Sequence, residues 1–218
     1  MGASPTNGAR NSFCLWSSRV ASSLVDPTKT EVNPVVIRNT ALDFIRNGWS
    51  PIPLPFKAKV PIMAGWQKLR INTAELVNEH FNCRPQNIGV LTGEPSSGLV
   101  DIDLDVPEAL ALARSLLPPT RTFGRKSNPS SHWLYRTEPI PRVIPFVFNG
   151  KKILEIRGSG GQSMFPPSIY PNGESIQWEN EEQPLLIRLE DLDQRVSYVA
   201  AGALLARNWP SMIILALQ

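Results

Sequence analysis

A chain of 218 residues, 42% hydrophobic and 19% charged, has enough apolar material for one sizeable α/β domain, or for one domain plus loosely ordered ends. The net charge of +3 and the pI near 9.0 agree with a polyanionic partner without establishing one. No stretch approaches the roughly 18 apolar residues that cross a bilayer, so a soluble, cytoplasmic protein with no membrane partner is expected. Two cysteines (Cys14, Cys83) and two histidines (His80, His132) leave little for a disulfide framework or a zinc ribbon, and any metal is expected on carboxylates.

Residues 1–38 are rich in Ser, Asn, Thr and Pro, carry only Asp26 and Glu31 as acids, and read as a disordered leader. The start MGASPT fits the spacing of an N-myristoylation signal, and the acid-poor leader resembles an organelle transit segment; both patterns are short and permissive. From Asn39, Ala41, Leu42, Phe44 and Ile45 predict a short helix ending at Gly48, followed by the proline-marked extended segment WSPIPLP at 49–55. After a loop with Lys57 and Lys59, Asn72 with Glu75 three residues on reads as the N-cap pair of a helix through Phe81. NIGVLTG at 87–93 predicts a buried strand with a glycine turn, and LVDIDLD at 99–105 the next strand. Pro107 opens the helix EALALARSLL, and short strands follow around 131–136, 153–157 and 163–165. The helix at 196–209 carries an apolar face that needs a partner, and the apolar end MIILALQ suggests an interrupted longer protein. Residues 39–160 hold 15 Lys/Arg against 10 Asp/Glu and residues 161–218 hold 3 against 7, so the positive excess lies in the middle of the chain.

Asp101-Ile102-Asp103 is the strongest local signal. Side chains alternate along a strand, so both carboxylates project to one side and Ile102 to the other, and a divalent cation would relieve their repulsion. For an isolated D-x-D, a solvated strand end is the better reading. The company of the motif decides: NIGVLTGEPSSG before it, then SSHWLYR at 130–136, ILEIRGSGG at 153–161 and GSGGQSMFPPSIYPNGESIQW downstream, with NGWSPIPLP, the Lys57–Pro61 loop and Trp66 upstream. That ordered set, over about residues 39–180, resembles the bifunctional primase/polymerase domain of the archaeo-eukaryotic primase superfamily, found in replication proteins of mobile elements.

The resemblance implies an α/β fold of the α+β type: a mixed-sheet catalytic core with an RRM-like palm and a smaller N-terminal α/β unit. It places the catalytic domain at 39–190, with a helix at 191–218 that opens an accessory region. It implies a template-directed nucleotidyltransferase that uses two Mg²⁺ or Mn²⁺ ions on Asp101, Asp103 and Glu155. A single-stranded DNA template and nucleoside triphosphates would be its ligands, and a helicase or another replication protein a partner. His132 and Ser131 would contact the triphosphate, helped by Arg125, Lys126 and Arg157. An ion pair between Arg157 and Glu155 is the plainer reading of that pair. A basic set of Lys57, Lys59, Arg125, Lys151 and Lys152 would hold the single strand.

The sequence departs from the family at three places: Ser131, not the frequent glycine, precedes the histidine, the third acid is Glu rather than Asp, and the usual helical continuation is missing. GSGG at 158–161 lacks the Lys-Ser/Thr ending of a P-loop and reads as a turn. Tyr170 and Trp178 would stack bases or pack in the core. A nucleic-acid-binding module with a weak site, and a two-carboxylate hydrolase, remain alternatives to the polymerase reading.

Overall fold

The computed structural model describes residues 33–82 and 84–208. The leader up to residue 32 with its two targeting patterns, Cys14, Cys83 and the MIILALQ end therefore lie outside the described residues.

The first helix, α1 (Pro34–Arg46), starts five residues before the expected boundary, because Asn33 caps it by accepting a hydrogen bond from the Val35 amide and Pro34 occupies the first turn. It packs on β1 (Ser50–Pro55) and β2 (Gln86–Leu91), which pair antiparallel in a three-stranded sheet completed by β8 (Gln162–Met164). Between β1 and β2 lies α2 (Ala74–His80), whose N-cap is Thr73 rather than Asn72: the Thr73 hydroxyl accepts from the Leu76 amide. Thr73→Ala is accordingly expected to cost about 1 kcal/mol in denaturant unfolding, and Asn72→Ala a few tenths at most.

The larger sheet runs β6-β7-β3-β5-β4-β9, antiparallel throughout: β3 (Leu99–Leu104), β4 (Arg121–Arg125), β5 (Asn128–Glu138), β6 (Ile144–Phe148), β7 (Lys151–Arg157) and β9 (Gln177–Trp178). A seventh strand, β10 (Leu185–Arg188), pairs parallel with the end of β5, beyond the stretch that β4 covers. The fold is thus α+β with antiparallel sheets and four helices among the described residues. Strands β4, β6, β9 and β10 were not expected from the sequence; they are short or carry proline and mixed polarity.

Alternation along β3 divides two cores. Val100, Ile102 and Leu104 face α3 (Pro107–Leu116) and α4 (Leu189–Asn208), with Trp133, Tyr135 and Ile156 beside them. Leu99 faces the other way, with Phe123 and Leu134, into the core shared by α1 and the small sheet. Asp101 and Asp103 therefore point into the space between the two sheets. The apolar face expected near 196–209 finds its partner here: Leu192, Val196, Val199, Ala200 and Ala203 are buried against α3 and the large sheet, in a helix that begins at Leu189. At 158–161 the chain turns as expected. A side chain at Gly158 would lie 2.1 Å from the Pro141 carbonyl oxygen, and Gly160 sits at φ +90°.

Candidate active site

The register of three neighbouring strands assembles the site. Asp103 stands opposite Glu155 of β7 on one side and His132 of β5 on the other, while Asp101 stands opposite Arg157 and Leu134. Directly opposed side chains share a face, so residues separated by 29 to 56 positions become neighbours.

Asp101 is not at a solvated strand end but completely buried. Its Oδ2 accepts from His132 Nδ1 at 2.9 Å and from the Ser163 hydroxyl of β8, which links the two sheets. The His132 ring stacks on Phe123 with centroids 4.4 Å apart and planes 5° from parallel, and its Nε2 lies 3.6 Å from Asp103 Oδ1. Burial alone would lower the basicity of this imidazole, but Asp101 and Asp103 outweigh it and hold its pKa above the ordinary value.

Two cations already sit among the acids. The Arg157 guanidinium donates to Asp103, to Glu155 Oε2 at 2.8 Å and to Ser163 Oγ at 3.1 Å. The ion pair between Arg157 and Glu155 is therefore present, as one arm of a larger network. Lys152 Nζ reaches Glu155 Oε2 at 3.0 Å, so it does not join the free basic set expected for DNA. Burial raises the pKa of both Asp103 and Glu155, yet the neighbouring cations prevail and hold both carboxyls below their usual range. Asp105, absent from the sequence-derived site, is pushed up by burial and by Asp103, against the opposing pull of Lys152.

A cavity of about 480 Å³ opens on this network. Asp103, Asp105, Ser131, His132, Arg125 and Arg157 line its wall; Asp101 and Glu155 lie behind it. The Ser131 hydroxyl is buried and has no hydrogen-bond partner. Arg125 is held over the Tyr170 ring at 4.0 Å and by Glu174 at 3.2 Å, whereas Lys126 faces an adjoining groove shared with Arg125 and Trp178. Of the expected site residues, then, seven meet around one space and Lys126 alone stands apart. Gln162 also lines the cavity, donating to the Lys59 carbonyl at 2.7 Å and so tying down the 57–65 loop.

The model of the bifunctional DNA primase/polymerase N-terminal domain matches residues 41–194. The chain belongs to the Prim-Pol family. No curated protein matches it. Prim-Pol membership carries nucleotidyltransferase activity of the DNA primase/polymerase type, with DNA and nucleotides as ligands. The Prim-Pol match runs from within α1 to the first residues of α4 and so includes every strand of both sheets.

Asp105 was legible in LVDIDLD as a third carboxylate on one strand face; Ser163, Gln162 and Glu174 were not, because strand pairing and loop packing alone bring them to the site.

As the side chains stand, no group of three or more His, Cys, Asp or Glu among the described residues is placed to hold a metal ion, and Arg157 and Lys152 are paired with the carboxylates instead. The donor set nevertheless fits a hard cation. Asp101 Oδ1 is buried with no hydrogen-bond partner, and all the acids offer carboxylate oxygens.

Proposed function

We propose that this chain is a template-directed DNA primase or polymerase that joins nucleotides by two-metal-ion catalysis, with Asp101, Asp103 and Glu155 as ligands of Mg²⁺ or Mn²⁺. The observation that carries the reading is the position of Asp103, set by strand register between His132 and Glu155 on the wall of the cavity. The large sheet with α3 and α4 would be the RRM-like palm, and the small sheet with α1 the N-terminal unit. The catalytic domain would run from α1 through α4, since α1 begins at Pro34 and α4 is buried against the large sheet. Replication of a mobile element, on a single-stranded DNA template and alongside a helicase, is the setting that agrees with this reading.

Bound there, two divalent cations would activate the attacking 3′-hydroxyl and stabilise the leaving pyrophosphate. The chain's own groups do the rest. Asp101 holds His132 by Nδ1, which leaves Nε2 on the cavity side to donate to the triphosphate. Arg125, stacked on Tyr170 and braced by Glu174, offers a fixed guanidinium to the phosphates, and the free Ser131 hydroxyl offers a further donor. Arg157, held by Glu155 and Ser163, would meet the phosphate charge from its place on the cavity wall.

One observation favours a second reading. The acids are already neutralised by Arg157 and Lys152, which agrees with a nucleic-acid-binding replication module whose catalytic site is weak. A labelled-nucleotide extension assay, with and without primer and in Mg²⁺ or Mn²⁺, separates the two. Metal-dependent incorporation is expected; binding of single-stranded DNA without any incorporation in either metal would favour the module.

A further inference from the structure

Residues three apart on a regular strand point to opposite faces, so Lys152 and Glu155 of β7 ought to diverge. They meet instead: Lys152 Nζ lies 3.0 Å from Glu155 Oε2, 3.4 Å from Asp105 Oδ2 and 3.8 Å from Asp103 Oδ2. A bulge is the cause. Where β6 steps from Phe146 to Val147, β7 steps from Leu154 to Lys152 and leaves Ile153 as the extra residue. Ile153 and Leu154 are consequently both buried in the core under α3 and α4, which regular alternation would forbid. An extra residue flips every side chain on its far side to the other face. Lys152 is thereby aimed at the acids, while Lys151 stays exposed.

We propose that Lys152 is a tethered counter-ion that occupies the carboxylate cluster of the metal-free protein and must swing out before a divalent cation settles there, so that it sets the metal affinity of the site. The inference rests on Asp101, Asp103 and Glu155 being metal ligands. Lys152 is suited to leaving in a way that Arg157 is not. Its side chain is 32% exposed and its ammonium is a point charge on a flexible stem. The Arg157 fork is fixed by Glu155 and Ser163 at once. Nor does Lys152 complete the cluster: the unpartnered Asp101 Oδ1 lies beyond its contacts, still available to a second positive charge. Removing one positive charge from beside Asp103, Asp105 and Glu155 deepens the field that attracts a cation.

Mn²⁺ titrated into the 218-residue chain without nucleotide or DNA, with free ion read by electron paramagnetic resonance, tests this. Lys152→Met is expected to bind Mn²⁺ about tenfold tighter than the parent, equivalent to about 1.4 kcal/mol. Its metal-free melting temperature should fall and recover when Mn²⁺ is added. Lys152→Gln serves the same purpose should the methionine variant fold poorly. Lys152→Arg keeps the charge and Lys151→Met removes one that faces away, so both should bind as the parent does. Unchanged or weaker binding by Lys152→Met and Lys152→Gln, with binding by the parent lost in Asp103→Asn, would overturn the role of Lys152 and leave the metal site standing. Absence of Mn²⁺ binding by the parent would remove both.

Discussion

Asp103→Asn is expected to lower nucleotide incorporation by at least about a thousandfold, because the loss of a metal-bridging charge removes several kcal/mol of transition-state stabilisation. The substitution keeps the shape and leaves an oxygen to accept from Arg157, and Asp103 lies at the cavity wall, so the fold should survive. Circular dichroism and melting temperature near those of the parent, together with lost extension in saturating Mn²⁺, are the expected pair of results. Normal extension by the variant would sink the metal assignment. Asp101→Asn should lose activity to a similar degree but, unlike Asp103→Asn, lower the melting temperature as well. Its carboxylate is wholly buried and accepts from both His132 and Ser163. Burial thus separates the two acids: Asp103 borders the cavity, whereas Asp101 also supports the fold.

His132→Ala is expected to reduce kcat/KM for nucleotide about ten- to a hundredfold, since a hydrogen bond to a charged group is worth on the order of 1.5–3 kcal/mol. The geometry gives His132 a structural role beside the binding one. The ring is stacked on Phe123 and bonded to Asp101, so its removal opens a void and leaves Asp101 Oδ2 with one partner fewer. Stability should fall along with activity. The binding role is read in the KM for nucleotide measured per folded molecule, and a destabilised protein with normal KM would remove His132 from the site.

Much of this arrangement was legible in the sequence, for definite reasons. Period-two alternation in LVDIDLD set Asp101 and Asp103 on one face and Ile102 in the core, and the order of motifs around it pointed to the family that residues 41–194 match. Apolar spacing and Gly48 marked α1 and Pro107 marked α3, although the Asn33–Pro34 start of α1 was hidden within an otherwise polar leader. Long-range consequences were not legible. The bulge at Ile153 reverses the facing of Lys152, and no local pattern in KKILEIR announces it. Likewise the burial of Asp101 depends on Ser163 from a different sheet, 62 positions away. Strand β10 joins β5 in parallel just before α4, a long-range pairing that its own four residues do not announce.

The spacing of these contacts along the chain has a bearing on how the protein comes to life at the ribosome. Asp101 meets His132 across 31 positions, Asp103 meets Arg157 across 54 and Asp101 meets Ser163 across 62. Closing loops of that length before any contact rewards it places the molecule among slow-folding, non-local topologies. Since domains fold as synthesis proceeds, at roughly 5–20 residues per second, the acids of β3 emerge seconds before their partners on β7 and β8. Until Ser163 has left the exit tunnel, a nascent chain carries the carboxylates without the pocket that gives them a purpose.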